Sequence, residues 1–178
     1  MPSYDEKEKE VLELEVRRKI FNVVRNFAGC HLREIQRTAK MSFGGVSYHL
    51  AYLERHQLIK TEKDGRNIRY FPMNLSFEDE RLLSLLRQKS VRTMLLFIFS
   101  NEGCTHIQIV SSLKLSASTI TWHLKKLLLS GIISENKMGK FKTYILNIPK
   151  ARIMNLLIFY RESFLDKLVD GLIDLWEY

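Results

Sequence analysis

Cysteine is scarce in this sequence: Cys30 and Cys104 are the only two among 178 residues. Two cysteines cannot build a disulfide scaffold, nor a zinc site held by cysteine pairs. They point instead to a reducing compartment. Long apolar runs are missing as well. The nearest approach, Met94 to Phe99, falls far short of the roughly 18 residues that a membrane span needs. The opening Met-Pro-Ser-Tyr-Asp-Glu-Lys-Glu is acidic and polar, unlike a secretory signal. A soluble cytoplasmic protein is expected, with no membrane among its partners. Also absent are a glycine-rich phosphate loop, an HExxH run and a nucleophile elbow. The reading is therefore not an enzyme, with no cofactor and no metal.

Acidic residues are the minority, 20 against 28 Lys and Arg, for a net charge of +8. By itself that is a weak pointer to a polyanionic partner. Its distribution says more. Val16 to Leu75 carries twelve bases against four acids, and Gln88 to Ile148 eight against two. Met1 to Glu15 carries six acids against two lysines, and the tail from Pro149 is slightly acidic. The positive charge lies in two blocks.

Those blocks are copies of one another. Shifted by 74 residues, the chain matches itself without a gap, with 12 of the 42 positions from Gly29 to Tyr70 identical. Gly29-Cys30 falls on Gly103-Cys104, Ser42 on Ser116, and Val46-Ser47-Tyr48-His49-Leu50 on Ile120-Thr121-Trp122-His123-Leu124. Each copy has the same order of signals. In the first, Val11 to Phe27 shows helical spacing and ends at Ala28-Gly29. A short helix over His31 to Ala39 follows. After a turn at Lys40-Met41, Ser42 caps a third helix running to Gln57. The period then changes to strands over Leu58–Glu62 and Ile68–Met73, around a turn at Lys63 to Asn67. The second copy predicts helices over Asp79–Asn101, His106–Leu113 and Ser116–Ser130, then a hairpin from Ile133 to Ile148. Only Pro72 to Phe77 separates the copies, too little for a Pro/Gly-rich linker.

Three helices and a basic hairpin describe a winged helix-turn-helix. Ser47-Tyr48-His49-Leu50, Leu53 and Gln57-Leu58-Ile59 resemble the S-x-H-L-x-x-L-x-x-x-G-L-I signature of ArsR- and MarR-type winged-helix regulators. Thr121-Trp122-His123-Leu124, Leu127 and Gly131-Ile132-Ile133 resemble it equally. Gln57 departs from the glycine of the signature. Tandem pairs of this kind resemble archaeal transcription regulators, over about Val16 to Ile148. The expected fold is mainly α with small β wings. It comprises an N-terminal winged-helix domain over 1–75, a second over 76–149, and one long amphipathic helix over 150–178. The resemblance implies a sequence-specific regulator that binds double-stranded DNA, acts in the nucleoid and works beside the transcription machinery. The alternative is a tandem winged-helix protein-interaction module of a transcription or chromosome-associated complex; the basic charge of both copies argues against it.

A helix of this size fits the major groove with its N-terminal residues at base edges. The candidate contacts in the first copy are Ser42, Gly44, Gly45, Ser47, Tyr48, His49, Tyr52 and Arg55 on the third helix, with Lys63, Arg66 and Arg69 on the wing. In the second they are Ser116, Ser118, Thr119, Thr121, Trp122, His123, Lys125 and Lys126, with Lys137, Lys140 and Lys142 on the wing. Wing cations suit the backbone or the minor groove. Tyr48 and Trp122 could instead be packing residues, and the two histidines fit a structural role or one phosphate contact better than a metal. Cys30 and Cys104 read as small buried residues. On the terminal helix Ile153, Leu157, Tyr160, Phe164, Leu168 and Leu172 follow a three-to-four spacing, with Leu165 widening the stripe. That is more apolar surface than one helix can leave in water. Homodimerisation through it is expected, against packing within the monomer.

Overall fold

The computed structural model describes residues 6–164 and 167–176. The chain forms two compact units, residues 1–80 and 81–178. Both follow one run of elements. The first run is α1 (Glu6–Val11), α2 (Glu15–Asn26), β1 (Cys30–His31), α3 (Leu32–Ala39), α4 (Phe43–Arg55), β2 (Ile59–Asp64) and β3 (Asn67–Pro72). The second is α5 (Phe77–Leu86), α6 (Lys89–Ser100), β4 (Cys104–Thr105), α7 (His106–Ser112), α8 (Ala117–Leu129), β5 (Ile133–Met138) and β6 (Phe141–Leu146). Then come α9 (Lys150–Phe159), α10 (Arg161–Phe164) and α11 (Lys167–Trp176). Among the described residues no helix is long and apolar enough to cross a membrane.

The first core gathers one face from each helix. Ile20, Phe21, Val23 and Val24 of α2 meet Ile35 and Ala39 of α3, Val46, Leu50 and Leu53 of α4, and Ile59 of β2. Each large side chain buried this way contributes about 1.5–3 kcal/mol. Cys30 sits in this core and Cys104 is buried in the second unit, where burial pushes its thiol up.

Both sheets are antiparallel, ordered β1-β3-β2 and β4-β6-β5. The 74-residue register persists in their hydrogen bonds. Gly29 N donates to Tyr70 O at 2.8 Å, and Gly103 N to Tyr144 O at 2.9 Å. Strands β1 and β4 were not expected. Each is two residues long, too short for any periodicity, and exists only because a hairpin some 40 residues on in sequence supplies its partners. The wing turns are tighter than expected: Asp64 pairs with Asn67 across Gly65-Arg66, with Gly65 at φ 62°. Glycine at the first central position is what a type II′ hairpin asks for.

Two expected helices are broken. The one read from Val11 to Phe27 ends at Val11 and restarts at Glu15, and the one read from Asp79 to Asn101 breaks between Leu86 and Lys89. The bends let Val11 and Leu12, and Leu85 and Leu86, all be buried. Each break is held by an arginine six residues on. Arg17 donates to Val11 O at 2.7 Å and Arg92 to Leu86 O at 2.6 Å. A guanidinium on the last carbonyl of a helix meets both its missing hydrogen bond and its dipole.

The C-terminal segment departs most from expectation. Instead of one long helix, the chain turns at Tyr160, and α9 and α11 pack on each other. Ile153, Leu157, Tyr160 and Phe164, expected at a dimer interface, are buried within the chain's own fold. The apolar residues occupy more than one helical face, and folding back covers them without a partner. Leu168 stays exposed and Leu172 half-buried on the outer side of α11. Arg161 ties the turn by donating to Asp170 Oδ1 at 2.8 Å. Leu165 and the end of the expected helix at Tyr178 lie outside the described residues.

Gln57 and Gly131 close the third helix of each copy. Both are left-handed, at φ 59° and φ 71°, so the turn is kept although the glycine is not. A side chain there is strained by about 1 kcal/mol. Gln57→Gly is expected to raise stability by about that amount and Gly131→Ala to lower it likewise, measured by urea unfolding.

Candidate nucleic-acid interface

In each copy two helices and a short turn make the candidate interface. In the first, α3 ends at Lys40 in the left-handed region, φ 55°, and the chain enters α4 through Ser42. The Ser42 hydroxyl accepts from Gly45 N at 3.3 Å; Ser116 accepts from Thr119 N at 3.2 Å. These caps satisfy amides that a helix start leaves without partners. A Cβ on Gly45 would lie 3.2 Å from the Ser42 hydroxyl, so Gly45 serves the cap. Gly44 is exposed with open space around it.

Burial of Val46, Leu50 and Leu53 turns the other side of α4 outward: Gly44, Tyr48, Ala51 and Arg55. Burial of Ile120, Leu124 and Leu127 does the same for Ser118, Thr121, Trp122 and Lys125 of α8. Tyr48 is 64% exposed and Trp122 60%, so neither is a core residue. Ser47 and Thr119 are half-buried. The Thr121 hydroxyl is in use, donating to Ala117 O at 2.9 Å and lying 3.0 Å from His106 Nε2.

Several expected contacts face inward. Arg69 is 4% exposed; its guanidinium pairs with Asp64 Oδ2 at 2.7 Å and donates to Gly29 O at 2.6 Å. It locks the wing to Gly29, just before β1, and is held away from the surface. Its neighbours on a strand alternate in and out, which a count of basic residues does not register. Tyr52 is half-buried under the Arg17 guanidinium, 3.6 Å from the ring centroid, and stacks on His56 at 4.3 Å. Lys126 donates to Gln88 Oε1 at 2.9 Å, and so is held against its own unit. His123 is buried and His49 half-buried, which removes them from the outward face. Lys142 pairs with Glu135 at 2.8 Å on the surface, and that pairing raises its pKa. Lys63, Arg66, Lys137 and Lys140 stand exposed on the wings.

The inward histidines share one electrostatic state. Burial, and then the Arg17 charge, hold His49 below its ordinary range; burial, and then Lys126, do so for His123. Each Nδ1 is buried without a hydrogen-bond partner among the described residues. Sequence reasoning missed Arg17, which faces both His49 and Tyr52, because no motif marks it. It also passed over Arg33 and Arg37, exposed on α3.

The fold is that of a tandem winged helix-turn-helix protein. Comparison with known proteins agrees. A family model described as an N-terminal HTH domain matches residues 14–83, and one described as winged helix-turn-helix DNA-binding matches residues 79–134. A Methanocaldococcus jannaschii protein named as an uncharacterized HTH-type transcriptional regulator is 31% identical over 141 residues. That stretch is 79% of this chain but 35% of the relative, so the chain spans about a third of its length. Among solved structures, human N-acetylserotonin methyltransferase in complex with SAM matches at 12% identity and a TM-score of 0.28, covering 92% of this chain and 48% of that one. A likeness that slight indicates neither shared fold nor shared activity.

Two outcomes are expected. Arg69→Ala should cost about 2 kcal/mol, because it strips charge-assisted hydrogen bonds from Asp64 and Gly29 O, whereas Arg66→Ala stays within about 0.5 kcal/mol. Urea unfolding of both variants checks this. For the histidines, the unfolded chain takes up protons first, near pH 6.5. Their contribution is therefore full above that pH and is lost as pH falls through and below it. Unfolding midpoints at about pH 7.5 and about pH 5.5 should differ less in His49→Gln/His123→Gln than in the unaltered chain.

Proposed function

We propose that this chain is a sequence-specific regulator of transcription that binds double-stranded DNA. In this reading α4 and α8 enter the major groove while the wings lie on the backbone or minor groove. The observation that carries it is a coincidence of charge and exposure in both copies. The outward face of each third helix bears a large exposed aromatic, Tyr48 or Trp122, and an exposed cation on the same helix, Arg55 in the first copy and Lys125 in the second. Each wing adds two more exposed cations, Lys63 and Arg66 or Lys137 and Lys140. Phosphate contacts from the wings would position the modules, and side chains on the helices would read bases.

The two faces differ. The first, with Gly44 and Ala51, admits close approach but holds few donors. The second sets the Ser118 and Thr119 hydroxyls 3.0 Å and 2.8 Å from the Ser116 hydroxyl at the start of α8. We therefore assign base discrimination mainly to α8, with action in the cytoplasm, on the nucleoid, beside the transcription machinery. The reading includes a homodimer, now on the surface that folding leaves outward: Leu168, Leu172 and Leu175 on α11. Leu168→Glu/Leu175→Glu should convert a dimer to a monomer in light scattering; an unaltered chain that is already monomeric removes this part.

Duplexes selected from a random pool test the main reading. Trp122→Ala should weaken binding to the selected duplex about tenfold or more and relax its sequence preference. Lys137→Ala/Lys140→Ala should weaken all duplexes alike and lower the slope of log affinity against log salt by about two. Affinity that does not depend on salt would sink the proposal.

A further inference from the structure

Between α3 and the tip of the first wing lies a cleft of about 510 Å³. Three guanidinium groups line it: Arg33 and Arg37, one turn apart on α3, and Arg66 at the wing turn. All three are exposed, and none has an ion pair or hydrogen bond among the described residues. Glu34 also lines the cleft but is already engaged by a partner. Apolar surface shares the space: Phe43, the first residue of α4, is 57% exposed and Ile68 of the wing 47%. His31 is tied to this wing by donating Nδ1–H to Ile68 O at 3.0 Å.

The fold does not require this set. At the positions 74 residues on, the second copy has Ile107 and Ser111 for the two α3 arginines, Ala117 for Phe43 and Phe141 for Asn67. Its wing offers Lys140, with Lys142 already paired to Glu135. Positions that hold the core are kept between copies, and these are not.

We propose that this cleft binds a nucleotide unit: a phosphate gripped by the arginines, beside a flat ring covering Phe43 and Ile68. Guanidinium forks match phosphate oxygens two at a time. A bare phosphate would leave the apolar residues in water, and the volume falls in the range of small-ligand sites, about 300–1,000 Å³. The unit could come free from solution or belong to a nucleic acid lying on the module. Because the cleft adjoins the start of α4 and the wing tip, its occupancy bears on duplex binding; that consequence, and the nucleic-acid source, rest on the function proposed above.

The test uses the full chain, with AMP and inorganic phosphate as probes in calorimetry and the salt dependence of duplex binding in parallel. Arg33→Ala/Arg37→Ala should keep its unfolding midpoint, since both residues are exposed; Arg33→Lys/Arg37→Lys keeps charge but loses the fork. For a free nucleotide, AMP binds saturably and about tenfold more tightly than phosphate, and both double variants lose about tenfold or more. Phe43→Ala then weakens AMP but not phosphate. For the nucleic-acid source, AMP does not saturate, the alanine variant lowers the salt slope by about one, and the lysine variant does not restore duplex affinity. If neither pattern appears, the proposal is overturned. If AMP binds but no duplex does, the cleft stands and the DNA reading falls.

Discussion

Each module depends on the burial of three side chains of its third helix: Val46, Leu50 and Leu53 in the first, Ile120, Leu124 and Leu127 in the second. They lie on one face, and removing them from water is worth several kcal/mol per module. That burial fixes which side of the helix faces the core, so the rotation of the helix about its axis is decided there. With the rotation set, Tyr48 and Trp122 have nowhere to go but outward, and His49 and His123 turn toward the body of the module. The exposed face is the remainder of a packing decision, and it is the remainder that is free to specialise.

The wing is positioned by a second device. In the first copy, Arg69 is buried between Asp64 and Gly29 O, fastening the hairpin to Gly29, just before β1. The equivalent residue in the second copy is Thr143, also buried, whose hydroxyl lies 3.4 Å from Asn136 O on the facing strand. The charge in the first copy reaches out of the hairpin, the hydroxyl in the second stays within it, and the sheet order is the same. Similar exchanges recur at the helix breaks, where Arg17 and Arg92 do one job from positions that differ by one residue in the 74-residue register. The duplication preserved the strand order more faithfully than the side-chain contacts that support it.

That is why so much of the architecture was legible and some of the site was not. Helices α3, α4, α7 and α8 and both hairpins announce themselves through spacing, caps and a glycine turn, all of which are local. Strands β1 and β4 do not, because their partners are distant. The burial of Arg69 was hidden for a related reason: charge is visible in a sequence, but the side of a strand it occupies depends on which neighbour pairs with it. The contacts of Tyr52 and Lys126 were hidden similarly, since their partners Arg17 and Gln88 lie far away in sequence. Arg33 and Arg37 were passed over because a cleft between α3 and a wing exists only once both are folded.

The scarcity of cysteine and of long apolar runs, together with the 74-residue register, was enough to specify a twice-used winged helix-turn-helix, because periodicity and capping are properties of neighbouring residues. The C-terminal segment shows where that stops. Its apolar residues follow helical spacing throughout, which is compatible with one long helix exposing a stripe or with a helix that turns back on itself. Folding chose the second, since α9 packed on α11 buries Ile153, Leu157, Tyr160 and Phe164 within one chain, without the entropic cost of recruiting another. Spacing states that a face must be covered; only the three-dimensional arrangement supplies the surface that covers it.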